Sequence, residues 1–370
     1  MQAVSDFELL SPADPPTPSP DERHPGRRRA RAGRRGSRTA LVVLGALVAV
    51  ICLGGFAAVV AFRQSLDRNI EKLADPFADL TDRPAPAPTD PDLPDEAVNI
   101  LVLGSDSRIS AGDPSQWKAG AQRTDAIMLV HLPADRTSAQ VVSFPRDSWV
   151  PIPGHGEAKI NAAFSYGGPA LMIETVEQLT GVRIDHFALT DFTSFTTLTD
   201  ALGGVLIRIP EDIGDGKKVQ FTAGVHNLSG EEALAYTRQR HGLADGDFGR
   251  AQRQQNWMRS ILAKVNNNRN DVPRMTSFFT AFSESVAVDE GFTMDRIQDL
   301  YLSARGLSTN DVTFLTAPHS GTGRSTDGQS IVVLDRGLLD PLMASFADDT
   351  AGRFVEENKG VLAVLPPTVK

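Results

Sequence analysis

An uncharged apolar run extends from Ala40 to Phe62 and limits how this chain can be organised. As an α-helix it would measure roughly 35 Å, enough to cross the hydrocarbon layer of a membrane. Arginines are concentrated before it, in the segment 27–38, whereas only Arg63 and Arg68 follow closely. The positive-inside rule therefore predicts a single-pass protein of the cytoplasmic membrane, with a cytoplasmic N-terminus and an extracytoplasmic main domain.

A cleaved signal peptide is the alternative to a permanent membrane anchor. The run is longer than a usual signal-peptide core and no clear small-x-small cleavage site ends it, which favours the anchor. Its preceding arginines could also bind anionic lipid, but they are more simply a topology signal. The net charge of -9 argues against a nucleic-acid partner. The single cysteine, Cys52, excludes an intramolecular disulfide and a thiolate zinc site.

Proline distribution predicts the domain boundaries. Half of the chain's 24 prolines precede residue 95, so little of that stretch is expected to join a packed core. The predicted divisions are a disordered cytoplasmic tail (1–39), a transmembrane helix (40–62), a juxtamembrane and proline-rich linker (63–96), an extracytoplasmic domain (97–350) and a C-terminal tail (351–370).

The periodicity of apolar residues predicts a mixed α/β (α+β) domain with a central sheet. Short apolar runs bounded by turn or charged residues are typical of buried strands. They lie at Asn99–Leu103, Ala126–Leu132, Gln140–Phe144, Ile184–Leu189, Val205–Ile209 and Val312–Leu315. Helical spacing predicts helices at 169–180, Asp191–Leu202, Gly249–Val265, 273–285, 293–304 and Gly337–Phe346.

Two local signals sharpen this assignment. Ser229 and Glu232 form a capping-box pattern at the start of a further helix. The glycine-rich stretch 321–328 follows no clear strand-to-helix pattern and is predicted to be a loop.

Polar residues gather where the first three predicted strands begin or end. Asp106 follows the first strand, Arg123 and Asp125 precede the second, and Arg146 follows the third. If these strands are neighbours, carboxylates and guanidiniums meet around one crevice. Such a set suits a Mg²⁺ ion that bridges a phosphate, because Mg²⁺ takes one or two carboxylates while the arginine fork matches phosphate oxygens.

Arginines on two predicted helices extend this pattern. Arg238 and Arg240 close one helix, and Arg250 and Gln254 share a face of the next. A diphosphate would fit such a cluster. Each residue also has a purely structural interpretation as a turn, a cap, a compensation of a helix dipole or a solvated helix position. Only the joint pattern favours a functional site.

Other chemistries lack support in the sequence. It contains no GxSxG, P-loop or HExxH motif, and its histidines show no metal-ligand spacing. A stripe of apolar residues could line a ligand cavity, although ordinary core packing is the favoured interpretation. The stripe comprises Phe187, Phe192, Phe195, Leu198 and Leu202.

Five ordered blocks resemble the motifs of the LytR-CpsA-Psr family. The blocks read NILVLGSDSR, QRTDAIMLVHL, VVSFPRDSWV, KINAAFSYGG and YTRQRHGLADGDFGRAQRQQ. The resemblance is dense from about Val98 to Val265 and looser beyond. It implies an α/β fold with helices on both sides of the sheet and an apolar cavity for a polyprenyl chain.

The resemblance further implies a Mg²⁺-dependent phosphotransferase that moves a glycopolymer from a polyprenyl-diphosphate carrier to peptidoglycan. By motif position, Asp106 and Asp125 would hold the metal. The diphosphate would be bound by Arg123, Arg146, Arg238, Arg240, Arg250 and Gln254. As catalytic residues we predict Asp106, which would accept the hydroxyl proton, and Arg146. Two alternatives remain open: a diphosphatase that hydrolyses the lipid carrier, and a non-catalytic scaffold that binds lipid diphosphate.

Overall fold

The computed structural model describes residues 60–93, 95–105, 124–214, 219–239 and 246–369, without the side chains of 192, 193, 246 and 247. The predicted cytoplasmic tail and all but the last three residues of the predicted transmembrane segment lie outside these ranges. Within them, no helix combines the length and apolar character needed to span a membrane. The described residues belong to one compact unit, 58–370.

The strands of the described residues are, in chain order, β1 (Glu71–Leu73), β2 (Val98–Ser105), β3 (Thr124–Leu132), β4 (Ala139–Ser143), β5 (Trp149–Ile152), β6 (Gly156–Lys159), β7 (His186–Asp191), β8 (Val205–Ile209), β9 (Ile213–Gly214), β10 (Val219–Phe221), β11 (Gly224–Leu228), β12 (Val286–Asp289), β13 (Val312–Thr316), β14 (His319–Arg324) and β15 (Ser330–Leu334). The helices are α1 (60–69), α2 (Asn161–Thr180), α3 (Phe192–Ala201), α4 (Gly230–Arg238), α5 (Gly246–Asn268), α6 (Val272–Ser285), α7 (Met294–Ser303), α8 (Arg336–Ala347) and α9 (Ala351–Glu357).

A mixed seven-stranded sheet forms the centre, in the order β1-β12-β7-β2-β3-β4-β13. Strands β2, β3 and β4 are neighbours and antiparallel, while β2 with β7 and β4 with β13 are parallel. The predicted central sheet is therefore confirmed. Because β2 and β3 are antiparallel, the end of β2 lies beside the start of β3, and Ser105 pairs with Thr124.

Helices cover both faces of this sheet. On one face, Leu101 and Leu103 of β2 belong to a core cluster with residues of α2, α8 and α9. On the other face, Val98 joins a second cluster with residues of α1, α6 and α7. Successive side chains of a strand point to opposite faces, so both sets are buried and the run reads as continuously apolar.

Local signals fix the helix ends. Ser229 and Glu232 form the predicted capping box at α4. Gly181 ends α2 in a left-handed conformation with φ 69°, as expected of a helix C-terminus. The helix predicted at 169–180 begins earlier, at Asn161, and is kinked at Gly167 and Gly168, just before Pro169. Because Pro169 disfavours helical geometry before it, periodicity alone located only the second part of this helix.

The segment 63–96, predicted to be a linker, is in part integrated into the domain. Leu66 of α1 and Ile70, which follows this helix, are buried in the second core cluster, and β1 pairs in parallel with β12. Further along, Arg83 forms an ion pair with Glu177 of α2. The many prolines do not prevent these contacts, since isolated side chains and a three-residue strand suffice to make them.

Two predictions about the C-terminal part were wrong. The predicted tail 351–370 contains α9 and buries Leu365 and Val369, and Leu315 forms a bridge with Val364. Within the glycine-rich stretch predicted as a loop, residues up to Arg324 belong to β14, which pairs with β15. Glycine does not prevent strand pairing when a regular partner strand supplies the hydrogen bonds.

Candidate functional site

Asp125 and Arg146 meet at the sheet edge where the sequence predicts a crevice. Asp125 lies at the start of β3 and Arg146 follows the end of β4. The Arg146 Nη1 atom lies 2.6 Å from Asp125 Oδ1, and both side chains are less than one-fifth exposed. Adjacent antiparallel strands bring these positions together, although 21 residues separate them in the chain.

Helix α5 adds two more predicted residues. Arg250 and Gln254, one helical turn apart, line the same pocket as Asp125 and Arg146. Arg250 Nη1 lies 3.5 Å from Asp125 Oδ1, and its side chain is 5% exposed. We call Asp125, Arg146, Arg250 and Gln254 the anion site.

Among the residues that the structure describes, the positive groups around the anion site outnumber the negative ones by one. Asp125 contacts both guanidiniums, while Asp147 accepts Lys159 at 3.0 Å and lies 3.8 Å from Arg146 Nε. Of the described side chains, two carboxylates thus face two arginines and one lysine. An incoming phosphate would be attracted by this excess, and the forked guanidinium groups match its oxygens.

Of the other predicted site residues, the structure describes Arg238. Asp106, Arg123 and Arg240 lie outside the described residues. Arg238, the last residue of α4, is exposed, while its neighbour Thr237 lines a pocket with Asp125. Among the described residues, no group of three or more histidine, cysteine, aspartate or glutamate side chains could hold a metal ion.

A narrow pocket, which we call the neck, continues from the anion site toward the helices. It shares Asp125 and Gln254 with the anion site and has a volume of about 60 Å³. Trp257 lines it too, stacked on Phe195 at 3.9 Å between ring centroids. Sequence reasoning missed Trp257, although its spacing from Arg250 and Gln254 places all three on one face of a helix.

Beyond the neck lies an apolar cavity of about 470 Å³ between the sheet and the helices α5 to α7. Neck and cavity share Val102, Thr190, Trp257 and Met258. The cavity wall consists mainly of aliphatic and aromatic side chains. Its members include Ile100, Val130, Val141, Ala188, Ile261, Leu262, Phe278 and Phe282.

The predicted apolar stripe is divided between the cavity and the core. Leu198 lines the apolar cavity and Phe195 lines the neck. Phe187 and Leu202 are fully buried in two separate core clusters, as the core interpretation expected. The side chain of Phe192 lies outside the described residues.

His319 lies close to the start of α5, the helix that carries Arg250 and Gln254. His319 stacks on Phe248 near the start of α5, with 4.3 Å between ring centroids. Burial lowers the pKa of His319, so its imidazole is neutral near pH 7. Among the described residues, the positive charges in and beside the anion site are therefore those of Arg146, Arg250 and Lys159, and this histidine adds none.

Two known proteins are similar to this chain in sequence. The cell wall biosynthesis protein LcpA of Corynebacterium glutamicum is 31% identical over 281 residues, which is 65% of this chain and 54% of that protein. The regulatory protein MsrR of Staphylococcus aureus is 32% identical over 247 residues, which is 65% of this chain and 71% of that protein. This chain thus spans about half the length of LcpA.

Solved structures are similar to this chain in fold. The crystal structure of B. subtilis TagT superposes with a TM-score of 0.56 at 26% identity and covers 72% of this chain and 96% of TagT. A structure of TagT bound to LI-WTA gives a TM-score of 0.58 at 25% identity and covers 75% of this chain and 98% of TagT. The model of the LytR_cpsA_psr family matches residues 69–345. The chain therefore belongs to the LytR_cpsA_psr family, the one that its sequence motifs resemble.

Proposed function

We propose that this protein is a phosphotransferase that moves a glycopolymer from a polyprenyl-diphosphate carrier to a hydroxyl of peptidoglycan, at the outer face of the cytoplasmic membrane. One observation carries the proposal: an apolar cavity continues through the neck to a pocket lined by two arginine side chains. A ligand that fits this path has a long apolar tail and an anionic head.

The apolar cavity suits the tail. Its volume of about 470 Å³ lies in the range of small-molecule sites, which is roughly 300–1,000 Å³. Its wall offers few hydrogen-bonding groups, so a polar ligand would lose hydration without compensation. An isoprenoid chain gains from burial at about 25 cal/mol per Å² of apolar surface.

The anion site suits the diphosphate. Arg146 and Arg250 point their guanidiniums at one carboxylate, Asp125, and a phosphate would add further acceptors for these donors. Arg123, Arg238 and Arg240 are proposed to complete the binding of the second phosphate. Arginine rather than lysine gives each contact a fixed bidentate geometry.

A Mg²⁺ ion fits the donor chemistry of this site. Asp125 supplies one carboxylate within the anion site, and Mg²⁺ takes one or two carboxylates together with phosphate oxygens. Asp106, proposed as the second ligand, directly follows Ser105, which pairs with the residue before Asp125. When bound, the ion would neutralise charge on the diphosphate.

The proposed reaction needs no covalent enzyme intermediate. A hydroxyl oxygen of the acceptor attacks the phosphorus that carries the glycopolymer, and a new P–O bond forms. The bond from that phosphorus to the bridging oxygen breaks, and the lipid monophosphate leaves with the electron pair. Asp106 is proposed to accept the hydroxyl proton. Arg146 and Arg250 would stabilise the charge that develops on the phosphoryl oxygens.

The relatives agree with this proposal. LcpA is described as a cell wall biosynthesis protein, and TagT has been solved bound to LI-WTA. The predicted membrane anchor would hold the domain beside a membrane-embedded carrier.

The test uses the full chain in nanodiscs with Mg²⁺, a polyprenyl-diphosphate glycan and uncrosslinked peptidoglycan. We expect glycan bound to peptidoglycan and release of lipid monophosphate. Free glycan in the presence of peptidoglycan would instead identify a diphosphatase. Donor binding without any turnover would identify a scaffold.

A bulky substitution in the apolar cavity should separate long-chain from short-chain donors. Ala188 lies on β7 and lines the cavity, so Ala188→Trp places an indole in space that the lipid would occupy. We expect the KM for a long-chain polyprenyl donor to rise about tenfold or more, equivalent to roughly 1.4 kcal/mol of lost binding.

The short-chain donor serves as an internal control, because it does not reach the cavity and should keep its KM. Val225→Trp adds the same ring on β11, at a side chain that is 55% exposed, and should change neither value. Equal effects of Ala188→Trp on both donors would contradict lipid binding in the cavity.

A further inference from the structure

The hairpin of β5 and β6 directly follows the anion site in the chain. Its two strands pair Trp149 with Lys159 and Pro151 with Glu157 on one face. The opposite face is inward, where Val150 and Ile152 join the core cluster beneath the sheet. The pairing therefore sends its polar and aromatic side chains outward.

Three of these side chains form a row with Asp147, which precedes the hairpin. We call this row the outer strip: Asp147, Lys159, Trp149 and Glu157. Lys159 Nζ lies 3.0 Å from Asp147 Oδ1. The indole Nε1 of Trp149 donates to Glu157 Oε2 at 3.1 Å, which holds the ring in one orientation. The row thus combines a half-buried flat ring with two carboxylates and an ammonium group.

The outer strip begins at the anion site itself. Asp147 lines the same pocket as Asp125 and Arg250. Its backbone is also fixed, because Val332 N donates to Asp147 O at 2.8 Å. Asp147 contacts Lys159, and Lys159 pairs with Trp149 across the hairpin, so the strip continues from the anion site to the indole ring.

The arrangement of the pockets indicates from where the lipid and the acceptor would each reach the anion site. The neck joins the apolar cavity to the anion site, and Asp147 lines the anion-site pocket but not the neck. The lipid and its leaving phosphate would therefore reach the anion site from the neck, while the strip meets the anion site at Asp147, outside the lining of the neck. In phosphoryl transfer the attacking and leaving oxygens lie roughly in line. We therefore expect the acceptor hydroxyl to approach the phosphorus opposite the leaving oxygen, from the part of the anion site where the outer strip begins.

We propose that the outer strip binds the saccharide that accepts the transferred group. An indole face offers a flat apolar surface for the C–H face of a sugar ring. The carboxylates of Asp147 and Glu157 accept hydrogen bonds from sugar hydroxyls, and Lys159 donates to ring substituents such as acetamido oxygens. This assignment rests on the proposed transferase function for the identity of the saccharide.

Binding of a soluble tetrasaccharide cut from uncrosslinked peptidoglycan tests the assignment without turnover. With the full chain in nanodiscs, we expect Trp149→Ala to raise the Kd of the tetrasaccharide about tenfold or more. Trp149→Phe keeps a flat ring and should recover most of the affinity. The affinity for the lipid-diphosphate donor should stay within about twofold in both variants.

Tyr166→Ala is the matched control. It removes an exposed aromatic ring that stacks on His155 and does not belong to the outer strip. Equal loss of affinity in Tyr166→Ala and Trp149→Ala would overturn the assignment. So would a wild-type chain that does not bind the tetrasaccharide, or a Trp149→Ala variant that loses donor affinity instead.

The two proposals fail in different ways. If the tetrasaccharide binds through Trp149 but no glycan is transferred to it, the outer strip stands as a saccharide site and the transferase function does not. If transfer occurs and Trp149→Ala leaves the acceptor KM unchanged, the transferase function stands and the outer strip does not.

Discussion

Arg146→Ala should lower kcat/KM for glycan transfer by about 10²–10³, the usual cost of removing one donor that stabilises a developing oxyanion. The guanidinium lies 2.6 Å from Asp125 and lines the anion site, so its removal takes away charge where the phosphoryl oxygens would lie. Among the described residues, Asp125 would retain the more distant contact to Arg250. Steady-state kinetics in nanodiscs would measure the loss.

Two variants separate geometry from charge and from unfolding. Arg146→Lys keeps the charge but loses the bidentate fork, so we expect an intermediate rate. Arg208→Ala removes an exposed arginine on β8 and should leave the rate unchanged. If Arg146→Ala transferred glycan at the wild-type rate while folded, Arg146 would have no role in the chemistry.

The convergence of Asp125 and Arg146 could be predicted because it depends on short-range rules. Three apolar runs predicted buried strands, and the polar residues stood directly at their ends. Sequential strands are often neighbours, so these ends had a high chance of meeting. The 3.6-residue helical period likewise placed Arg250 and Gln254 together.

Contacts between distant segments could not be predicted in this way. Arg83 and Glu177 are 94 residues apart, and nothing in the proline-rich segment indicates that it returns to α2. Similarly, Arg253 reads as a solvated helix position, yet it is fully buried and donates to the carbonyl of Gln239. Burial of such a residue depends on which surface its helix meets.

The cavity shows the same limit for apolar residues. Phe187 and Ala188 are consecutive in β7, so they point to opposite faces of the sheet. Phe187 fills the core beneath α2, whereas Ala188 lines the apolar cavity. Periodicity separates the two faces but does not reveal which one is left incompletely filled, because that depends on how closely α5 and α6 approach the sheet.

The contact between Arg83 and α2 gives the prediction with the largest effect on stability. Glu177 is 2% exposed and accepts hydrogen bonds from Arg83 and from the backbone N–H of Ile184. Arg83→Ala would leave this carboxylate buried with the single N–H donor. Removing one partner of a buried ion pair costs about 3–5 kcal/mol, because the remaining charge is uncompensated. Urea unfolding of residues 58–370, followed by tryptophan fluorescence, would measure the lost stability.

Two further variants show whether the uncompensated charge is the cause. Arg183→Ala removes a hydrogen bond to Pro84 O in the same region but no partner of Glu177, and it should cost about 1 kcal/mol. The double variant Arg83→Met with Glu177→Gln removes both charges while the Gln oxygen still accepts from Ile184. It should recover most of the stability lost in Arg83→Ala, because no charge is left buried. An equal loss in the double variant would mean that Arg83 acts through packing, including its position 4.5 Å from the Phe77 ring. Either result identifies the interaction that holds the segment containing Arg83 to α2.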